Sequence, residues 1–319
     1  MNPRARPRDT THRLMPLPHH TDITDGLCLT PARISPKYFY DQHGSELFEA
    51  ITELPEYYPT RTETALMQLH AEDIARAVGP GRTLIELGAG NCQKARNLCR
   101  LIQPACFVGV DISTEFLQAA VQGLRDEFPG LDARALGGDM TRGIVLPDDI
   151  PRLGRLVFYP GSSIGNFDPP HALELLTHMR ELVDDDGGLL IGIDLPKDVA
   201  VLEAAYDDAA GVTAAFNLNL LTHVNRLIGS NFDIEQWQHR AFFNAQDSRI
   251  EMHLESLQNT HVQWPGGERL FAQGERIHTE NSYKYPLPVF TDMLARAGFG
   301  QVQAWTDERG WFAVVHARP

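Results

Sequence analysis

The stretch TLIELGAGN, residues Thr83 to Asn91, begins with five residues that suit a buried strand and ends in a turn with two glycines. A helical pattern of apolar residues follows from Gln93 to about Ile102. Open α/β sheets bind ligands at such turns, beyond the carboxyl ends of their strands. The sequence therefore predicts a ligand site on this turn, formed by Gly88, Ala89 and Gly90.

Strands and helices alternate on both sides of this turn, which is typical of a parallel sheet connected by helices. The predicted strands are Phe107–Val110, Arg155–Tyr159 and Gly188–Ile193. The predicted helices are Thr62–Val78 with Thr62 as its N-cap, Thr114–Phe128, His171–Val183 and Pro288–Ala297. Two last strands, Val302–Trp305 and Trp311–His316, suit an antiparallel hairpin at the sheet edge. We therefore expect an α/β fold.

The alternation stops after Asp194. A helical stretch, Asp198–Asp208, is followed by a polar region and then by runs of period two such as Arg249–Leu254. We interpret residues 21–61 and 196–287 as a second lobe or lid, and 62–195 with 288–319 as the ligand-binding domain. Residues 1–20 contain prolines and arginines without an apolar run, so we expect them to form a disordered arm.

An acidic composition limits the partners that the chain can bind. The formal net charge is −14 and the sequence pI is about 5.3. Phosphate backbones are repelled by this charge, and we expect no nucleic-acid partner. Because no apolar stretch resembles a signal peptide or a membrane span, we expect a cytoplasmic monomer that does not bind membranes. Four cysteines without a Cys-x-x-Cys pair predict reduced thiols and no metal.

Acidic residues extend the predicted site. Asp111 ends the second strand and follows Glu86 at close to the spacing of about 20 residues at which an acidic side chain binds ribose hydroxyls. Asp139 and Met140 follow a third strand-like run and could bracket an adenine ring. A dinucleotide site would have a third glycine where this chain has Gln93, which disfavours an NAD-dependent oxidoreductase. An ordinary turn with solvated acids is the structural alternative.

Seven longer strings carry a more specific signal than the turn. They are KYFYD (37–41), GSELF (44–48), LPEYYPTRTE (54–63), GSSIGN (161–166), AYDDAAGVTAAFN (205–217), RIEM (249–252) and TENS (279–282). On these strings the chain from about Pro36 to its end resembles the histidine Nα-methyltransferases of ergothioneine biosynthesis, a class I family that depends on S-adenosylmethionine (SAM).

The resemblance implies a Rossmann-like class I sheet with an antiparallel C-terminal edge hairpin, and a second lobe that binds the substrate. It implies SAM as cofactor, S-adenosylhomocysteine (SAH) as its product, and free histidine as substrate, trimethylated on the α-amino nitrogen to hercynine. The residues that would bind SAM are Gly88, Ala89, Gly90, Lys94, Asp111, Asp139 and Met140. Those that would bind the amino acid are Tyr40, Tyr57, Gly161, Asn166, Tyr206, Met252, Glu280 and Ser282.

The chemistry of these side chains suits an amino acid. The hydroxyl groups of Tyr40 and Tyr206 can donate hydrogen bonds to a carboxylate, and the carbonyl oxygen of Asn166 can accept one from the α-amine. Glu280 and Ser282 lie two residues apart, so on a strand they share a face and could hold both imidazole nitrogens. We expect Tyr40, Asn166 and Tyr206 to contribute to catalysis by orienting the amine, since the sequence suggests no dedicated base.

Two departures from the family pattern leave alternatives open. Asn91-Cys92-Gln93 replaces the small hydroxyl residues that usually follow the glycine turn, and Asn281 and Tyr283 replace more apolar neighbours of Glu280. The alternatives are methylation of another amino acid, such as tryptophan or a modified histidine, and a non-catalytic protein that binds SAM. Glu280 discriminates between the amino acids, because a carboxylate favours a ring that carries N–H donors.

Overall fold

A computed structural model describes residues 20–140 and 143–319, so the predicted arm 1–20 lies outside the described residues except for His20. Within these ranges the α-helices are α1 (Thr21–Cys28), α2 (Gln42–Thr52), α3 (Tyr58–Leu69), α4 (Ala71–Val78), α5 (Gln93–Ile102), α6 (Thr114–Glu127), α7 (Pro169–Leu182), α8 (Val199–Tyr206), α9 (Val212–Ile228) and α10 (Leu287–Arg296). The strands are β1 (Ala32–Arg33), β2 (Thr83–Leu87), β3 (Cys106–Asp111), β4 (Asp132–Gly137), β5 (Arg155–Tyr159), β6 (Gly188–Asp194), β7 (Trp237–Asn244), β8 (Arg249–Ser256), β9 (Thr260–Trp264), β10 (Gly267–Phe271), β11 (Arg276–Tyr283), β12 (Gln301–Thr306) and β13 (Phe312–Arg318).

The central sheet has the strand order β12-β13-β6-β5-β2-β3-β4. Strands β2 to β6 pair in parallel, and β13 and β12 join antiparallel beyond β6. Every residue of β2, β5 and β6 is buried, which explains why these strands read as continuous apolar runs. The predicted α/β fold, with a Rossmann-like parallel sheet and an antiparallel C-terminal edge hairpin, is confirmed.

The order of the strands reverses beside β2. The chain passes from β2 to β3 and β4 on one side, whereas β5 and β6 lie on the other side. In open α/β sheets, such a reversal opens a crevice at the carboxyl ends of the strands, where ligands bind. The glycine turn after β2 and the segment after β5 both border this crevice.

A second sheet, β1-β11-β8-β7, packs with α1, α8 and α9 around a separate hydrophobic cluster, and β9 and β10 form a hairpin. Within the cluster, Phe216 of α9 stacks on Phe39 with 4.5 Å between the ring centroids. This sheet and its helices combine segments from before α3 and from after β6. The lobe boundaries 21–61 and 196–287, and those of the domain formed by 62–195 and 288–319, stay predictions. No helix of the described ranges is long and apolar enough to cross a bilayer.

The helix predicted over Thr62–Val78 is wrong in its extent. The structure has two helices there, because α3 begins at Tyr58 and α4 begins at Ala71 after a break at His70. Pro59 favours this earlier start, since the first turn of a helix does not need its N–H groups. Thr62 is not an N-cap but lies inside α3, where its hydroxyl donates to the carbonyl oxygen of Tyr58 at 2.9 Å.

The polar region predicted after Asp208 is also wrong, because it contains the long helix α9. Two of its asparagines face inward and donate hydrogen bonds through their amide nitrogens. Asn217 donates to the carbonyl oxygen of His253 at 3.0 Å, and Asn219 donates to the Asp41 carboxylate at 2.8 Å. Both asparagines are buried, so polar residues occupy positions where a helical pattern would otherwise show apolar ones.

Candidate active site

The glycine turn after β2 is open on the side that faces the crevice. Gly88 and Gly90 have φ angles of +67° and +50°, which side chains with a Cβ rarely adopt. A Cβ at Gly90 would meet no atom within 4 Å. The Asp111 carboxylate lies beside the turn, where it accepts from the Gly90 N–H at 3.0 Å and from the Ser113 N–H at 2.8 Å. The turn and this carboxylate therefore form one rigid rim.

Two further predicted residues lie near this rim. The Met140 Cε atom is 3.6 Å from the position that a Cβ on Gly88 would take, so its thioether covers the turn. Asp139 is paired with Lys37, whose Nζ lies 3.4 Å from one carboxylate oxygen and also 3.0 Å from Asp22. Lys37 was not among the predicted residues, and it connects the rim to the first helix of the lobe.

Glu86, the fourth residue of β2, carries an unsatisfied polar atom. In the described part of the chain its Oε2 atom is buried and has no hydrogen-bond partner. Burial raises the pKa of this carboxyl well above its usual range. Buried polar atoms in native proteins are nearly always bonded, so this oxygen next to an open turn suits a ligand that brings an N–H group.

The Lys94 side chain extends from the start of α5, after the glycine turn, toward Glu63 and Gly161. Its Nζ donates to the Glu63 carboxylate at 2.6 Å, and Glu63 also accepts from the backbone N–H of Gly161 at 2.8 Å. A Cβ on Gly161 would come within 2.9 Å of Lys94 Nζ. Glu63 is buried and comes from α3. It thus joins the start of α5 to the segment after β5.

A pocket lies between this edge of the sheet and the second sheet, with about 520 Å³ of empty space when the open solvent at its mouth is included. The structure brings to it all the residues predicted for the amino acid: Tyr40, Tyr57, Gly161, Asn166, Tyr206, Met252, Glu280 and Ser282. The wall is completed by Phe48 and by six residues not assigned from sequence: Ile51, Ser162, Ser163, Ala205, Thr213 and Phe216. Asn166, Tyr206 and Glu280 therefore face one cavity, although their roles in binding stay predictions.

Close backbone packing places Asn166 next to β11. Asn166 ends a short 3-10 helix, Ser163–Asn166, that follows β5. A Cβ on Gly165 would lie 2.8 Å from the carbonyl oxygen of Tyr283, so a glycine is needed for this approach. The strand that carries Glu280 and Ser282 is held against the turn that carries Asn166.

Glu280 and Ser282 share the pocket face of β11, as their spacing predicts. Met252 of β8 pairs with Glu280 across the strands, and a register shift lies between His278 and Glu280. The Glu280 side chain is buried, and its burial raises the pKa of the carboxyl to about 8, against the opposing effect of the Lys284 ammonium. The pocket thus holds an acid that exchanges its proton close to neutral pH.

A buried polar network lies behind Ser282. Tyr206 and Ser282 are joined by a hydrogen bond of 2.7 Å between their hydroxyl oxygens. Lys284 donates to both hydroxyl groups and lies 2.8 Å from the Asp194 carboxylate. On the other side of Asp194, Lys197 donates to the second carboxylate oxygen at 2.5 Å. The hydroxyl groups of the pocket are therefore held by fixed charges.

Aromatic rings form the pocket wall nearest the rim at the glycine turn. The ring of Tyr40 contacts those of Phe48 and Phe216 edge-on, with centroids 5.7 and 5.9 Å apart. Burial raises the pKa of the Tyr40 hydroxyl well above its usual range, so it stays a neutral donor. The Ser113 hydroxyl donates to the Tyr40 carbonyl oxygen at 2.9 Å, which fixes this wall beside Asp111.

The model of the SAM-dependent, histidine-specific methyltransferase family matches residues 19–319. The chain belongs to this family. Its central sheet is accordingly the class I methyltransferase sheet, and the protein is an enzyme that uses SAM. This excludes the NAD-dependent oxidoreductase considered as an alternative.

Relatives agree with this assignment. This methyltransferase is 40% identical to the histidine N-alpha-methyltransferase of Mycolicibacterium smegmatis, with 92% of each chain covered. It is 29% identical to ergothioneine biosynthesis protein 1 of Neurospora crassa over 86% of this chain and 32% of that longer protein. A solved structure from Pyrococcus horikoshii has a TM-score of 0.50 and 11% identity, covering 88% of this chain and 100% of that one. The last match bears on the fold alone.

The residues of the methyltransferase fit SAM at the glycine turn. Gly88 and Gly90 leave the backbone open, Asp111 lies where a ribose would be bound, and Met140 offers an apolar surface beside Gly88. The unsatisfied Glu86 oxygen suits a ligand that carries an amino group. The assignment of these residues to the cofactor stays a prediction for all seven: Gly88, Ala89, Gly90, Lys94, Asp111, Asp139 and Met140. Lys94 and Asp139 are in addition already paired with Glu63 and Lys37.

Another polar cluster of the methyltransferase lies on the outer face of the second sheet. Ligand atoms of Glu251, His253 and His278 lie within 4.8 Å of one another. The carboxylate is already engaged, because Arg249 and His253 donate to it at 2.6 and 2.9 Å. The adjacent guanidinium charge opposes a divalent cation. We assign no metal to this cluster, and the absence of a metal stays a prediction.

Replacing Asp111 with alanine should weaken binding of SAH to the methyltransferase by about 10- to 100-fold, the range for hydrogen bonds to a charged group. The variant loses both the carboxylate and the support that it gives to the Gly90 and Ser113 N–H groups. Calorimetry with SAH measures the effect. Asp132→Ala is the control, because Asp132 begins the next strand and is half exposed. Equal affinities in the two variants would contradict the assignment.

Replacing Glu280 with glutamine should reduce the loss of stability at high pH. Because burial raises the folded-state pKa of Glu280 from 4.5 to about 8, its contribution to stability is complete below pH 4.5 and falls as the pH rises to about 8. Glutamine has no proton to lose, so between these pH values the variant should lose less free energy of unfolding, on the order of a few kcal/mol. Urea unfolding at pH 5 and pH 8.5 measures this. Equal losses of unfolding free energy between pH 5 and pH 8.5 in the wild type and the variant would contradict this prediction.

Proposed function

We propose that this methyltransferase transfers methyl groups from SAM to the α-amino nitrogen of free histidine and trimethylates it to hercynine. The observation that carries the proposal is one pocket, next to the glycine turn, that contains Glu280, Ser282, Asn166 and three tyrosines. The names of the Mycolicibacterium and Neurospora relatives support both the substrate and the place in ergothioneine biosynthesis.

Binding of the amino acid uses each wall of the pocket. The hydroxyl groups of Tyr40 and Tyr57 stay protonated, since burial raises the pKa of each, and they can donate to the carboxylate without adding charge. Burial raises the pKa of Tyr206 as well, and its hydroxyl group is bonded to that of Ser282 at 2.7 Å. The carbonyl oxygen of Asn166 accepts from the α-amine. Glu280 and Ser282 hold the two ring nitrogens, one as acceptor and the other as donor.

Positioning is the main catalytic device that the residues offer. When bound, SAM supplies a methyl group attached to a positively charged sulfur. Holding two reactants in line can lower a barrier by about 7–11 kcal/mol. Asn166, Tyr40 and Tyr206 hold the amine in its neutral form with the nitrogen lone pair aimed at the SAM side. The proton of the incoming ammonium passes to water, because Glu280 is already hydrogen-bonded to the imidazole ring.

The aromatic wall favours repeated methylation. A nitrogen with more methyl groups is a larger and more apolar cation, which is stabilised by the faces of aromatic rings. The Tyr40 ring lies edge-to-face with Phe48 and Phe216, whose own rings are tilted by 42° with centroids 6.0 Å apart, beside the rim at the glycine turn. They can accept this cation without a charged partner, so the pocket can hold the monomethylated and dimethylated amine for the next transfer.

Mass spectrometry of products tests the proposal. The protein is incubated with SAM and a panel of free amino acids that includes histidine, tryptophan and ring-methylated histidines. We expect a trimethylated product from histidine and far less product from the others. A product that stops at one methyl group would overturn trimethylation, and preferential methylation of tryptophan would overturn the substrate. Absence of product from every amino acid of the panel would overturn a free amino acid as the substrate.

A further inference from the structure

Lys284 is a fully buried ammonium group that lies behind the pocket wall. Its side chain is 0% exposed. Its Nζ lies 2.8 Å from an Asp194 oxygen, 2.7 Å from Ser282 Oγ and 3.1 Å from the Tyr206 hydroxyl oxygen. An ammonium has three N–H donors and no acceptor, and here each donor has a partner. Lys284 therefore determines how the two hydroxyl groups can direct their hydrogens.

The hydrogens of this network can be counted. Both hydroxyl oxygens accept from Lys284, and a further hydrogen bond of 2.7 Å joins Tyr206 to Ser282. One of the two hydroxyl hydrogens is used between them. The other has to point away from Lys284, toward the pocket. The Tyr206 and Ser282 hydroxyl groups therefore offer the pocket a single O–H donor as long as the hydrogen bond between them persists.

The chemistry of the two hydroxyls decides which of them is the outward donor. A phenol is the better donor, since its pKa is about 10 and that of an alcohol is far higher. Ser282 Oγ also has the shorter contact with Lys284. Tyr206 therefore donates to Ser282, whose oxygen accepts from both partners and whose hydrogen points into the pocket. Beside it on the same strand face, Glu280 offers an acceptor.

We propose that Lys284 is a positioning residue for substrate selection, which fixes Ser282 as a donor to the bare ring nitrogen of histidine while Glu280 accepts from the ring N–H. The inference rests on the proposed function and adds to it a residue that does not touch the substrate. Without the ammonium, the Ser282 hydroxyl can turn its hydrogen toward Tyr206 and present a lone pair, which repels the lone pair of the ring.

Lys197 provides a matched control. It is buried like Lys284 and donates to the same carboxylate, that of Asp194, but through the other oxygen at 2.5 Å. Its further partners are the Tyr58 hydroxyl at 2.7 Å and the Leu195 carbonyl oxygen. It does not contact Tyr206 or Ser282. Replacing either lysine removes one buried ammonium from Asp194, and only Lys284→Met releases the two hydroxyl groups.

The experiment is calorimetry on SAH-saturated protein with two ligands, histidine and β-(2-thienyl)alanine. The second ligand has a five-membered ring without nitrogen. In Lys284→Met we expect the Kd of histidine to rise by about 10- to 100-fold, the range for hydrogen bonds polarised by a charge. The Kd of thienylalanine should change less than about threefold, and Lys197→Met should change neither. SAH affinity, measured first, reports on folding of each variant.

Ser282→Ala makes the test independent of Lys284→Met folding, since it leaves the ion pair with Asp194 intact. We expect it to reproduce the selective loss for histidine, and the double variant to be no worse than either single one. The proposal is overturned if Lys284→Met weakens binding of both ligands equally, or if Lys197→Met weakens histidine binding as much as Lys284→Met does. It is also overturned if the effects of Lys284→Met and Ser282→Ala on histidine binding are additive, or if Ser282→Ala leaves histidine binding unchanged. Methylation of histidine by the wild type is tested separately by product mass, so failure of the function and failure of the Lys284 role are distinguishable.

Discussion

Replacing Glu280 with leucine is expected to lower kcat/KM for histidine by about 1,000-fold or more, while kcat/KM for tryptophan stays constant or rises. A site built around a buried polar group discriminates strongly, because the wrong partner leaves polar atoms unpaired, and such sites reach discrimination of about 10,000-fold. Glu280 is buried on the pocket wall between Met252 and Ser282. Leucine leaves the ring N–H without an acceptor and makes this wall apolar.

Initial rates with each amino acid as sole substrate measure this change in selectivity. Glu255→Leu is the control, because Glu255 lies on the adjacent strand β8, outside the pocket, where it pairs with Arg240 and Arg276. Histidine turnover within about tenfold of wild type in Glu280→Leu would show that the ring is bound elsewhere.

The centre of the main sheet was predictable because β2, β5 and β6 are buried on both faces and the turn after β2 carries glycine. The apolar runs at β2, β5 and β6 admit few other interpretations, and their predicted bounds agree with the structure within one residue. The pocket residues were named from the family resemblance, and the fold brings them together at the edge where parallel strands end. The glycine turn recognised from the local pattern and the strand ends set by the topology lie at the same edge of the sheet.

Residues that act across long sequence separations were not predictable. Glu63 contacts Lys94 and Gly161 only after α3 has packed against the sheet, and nothing in its surroundings in the sequence indicates a polar partner. Lys284 did carry a signal, since it continues the alternation of Glu280 and Ser282 on one strand face. Its full burial is not predictable from the sequence, because fully buried lysines are rare.

The helix α9 was misread for a related physical reason. Its asparagines are hydrogen-bonded inside the lobe, to Asp41 and to the backbone of β8. Helical periodicity is recognised from apolar residues, so buried polar groups with tertiary partners hide it. The same helix supplies Phe216 and Thr213 to the pocket, and these two wall residues were missed together with it.

Replacing Asn166 with alanine is expected to lower kcat by about 100-fold and to change the Kd of histidine much less. Misplacing a reacting group by about 1 Å can cost this much in rate, whereas the carboxylate and the ring still hold the substrate. Asn166 ends a 3-10 helix whose backbone is held by the close approach of Gly165 to Tyr283, and its side chain lines the pocket.

Single-turnover rates with saturating histidine and SAM, compared with calorimetric Kd values, separate the two effects. Asn281→Ala is the matched control, since the Asn281 side chain faces His278 on the outer side of β11. A rise in Kd with an unchanged single-turnover rate would mean that Asn166 only binds the amino acid. If the variant also methylates small amines such as methylamine more slowly than the wild type does, the defect lies in SAM binding and not in the placement of the amino acid. The expected pattern, slow transfer with near-normal binding, requires that the amide oxygen of Asn166, together with the Tyr40 and Tyr206 hydroxyl groups, fixes the direction of the nitrogen lone pair.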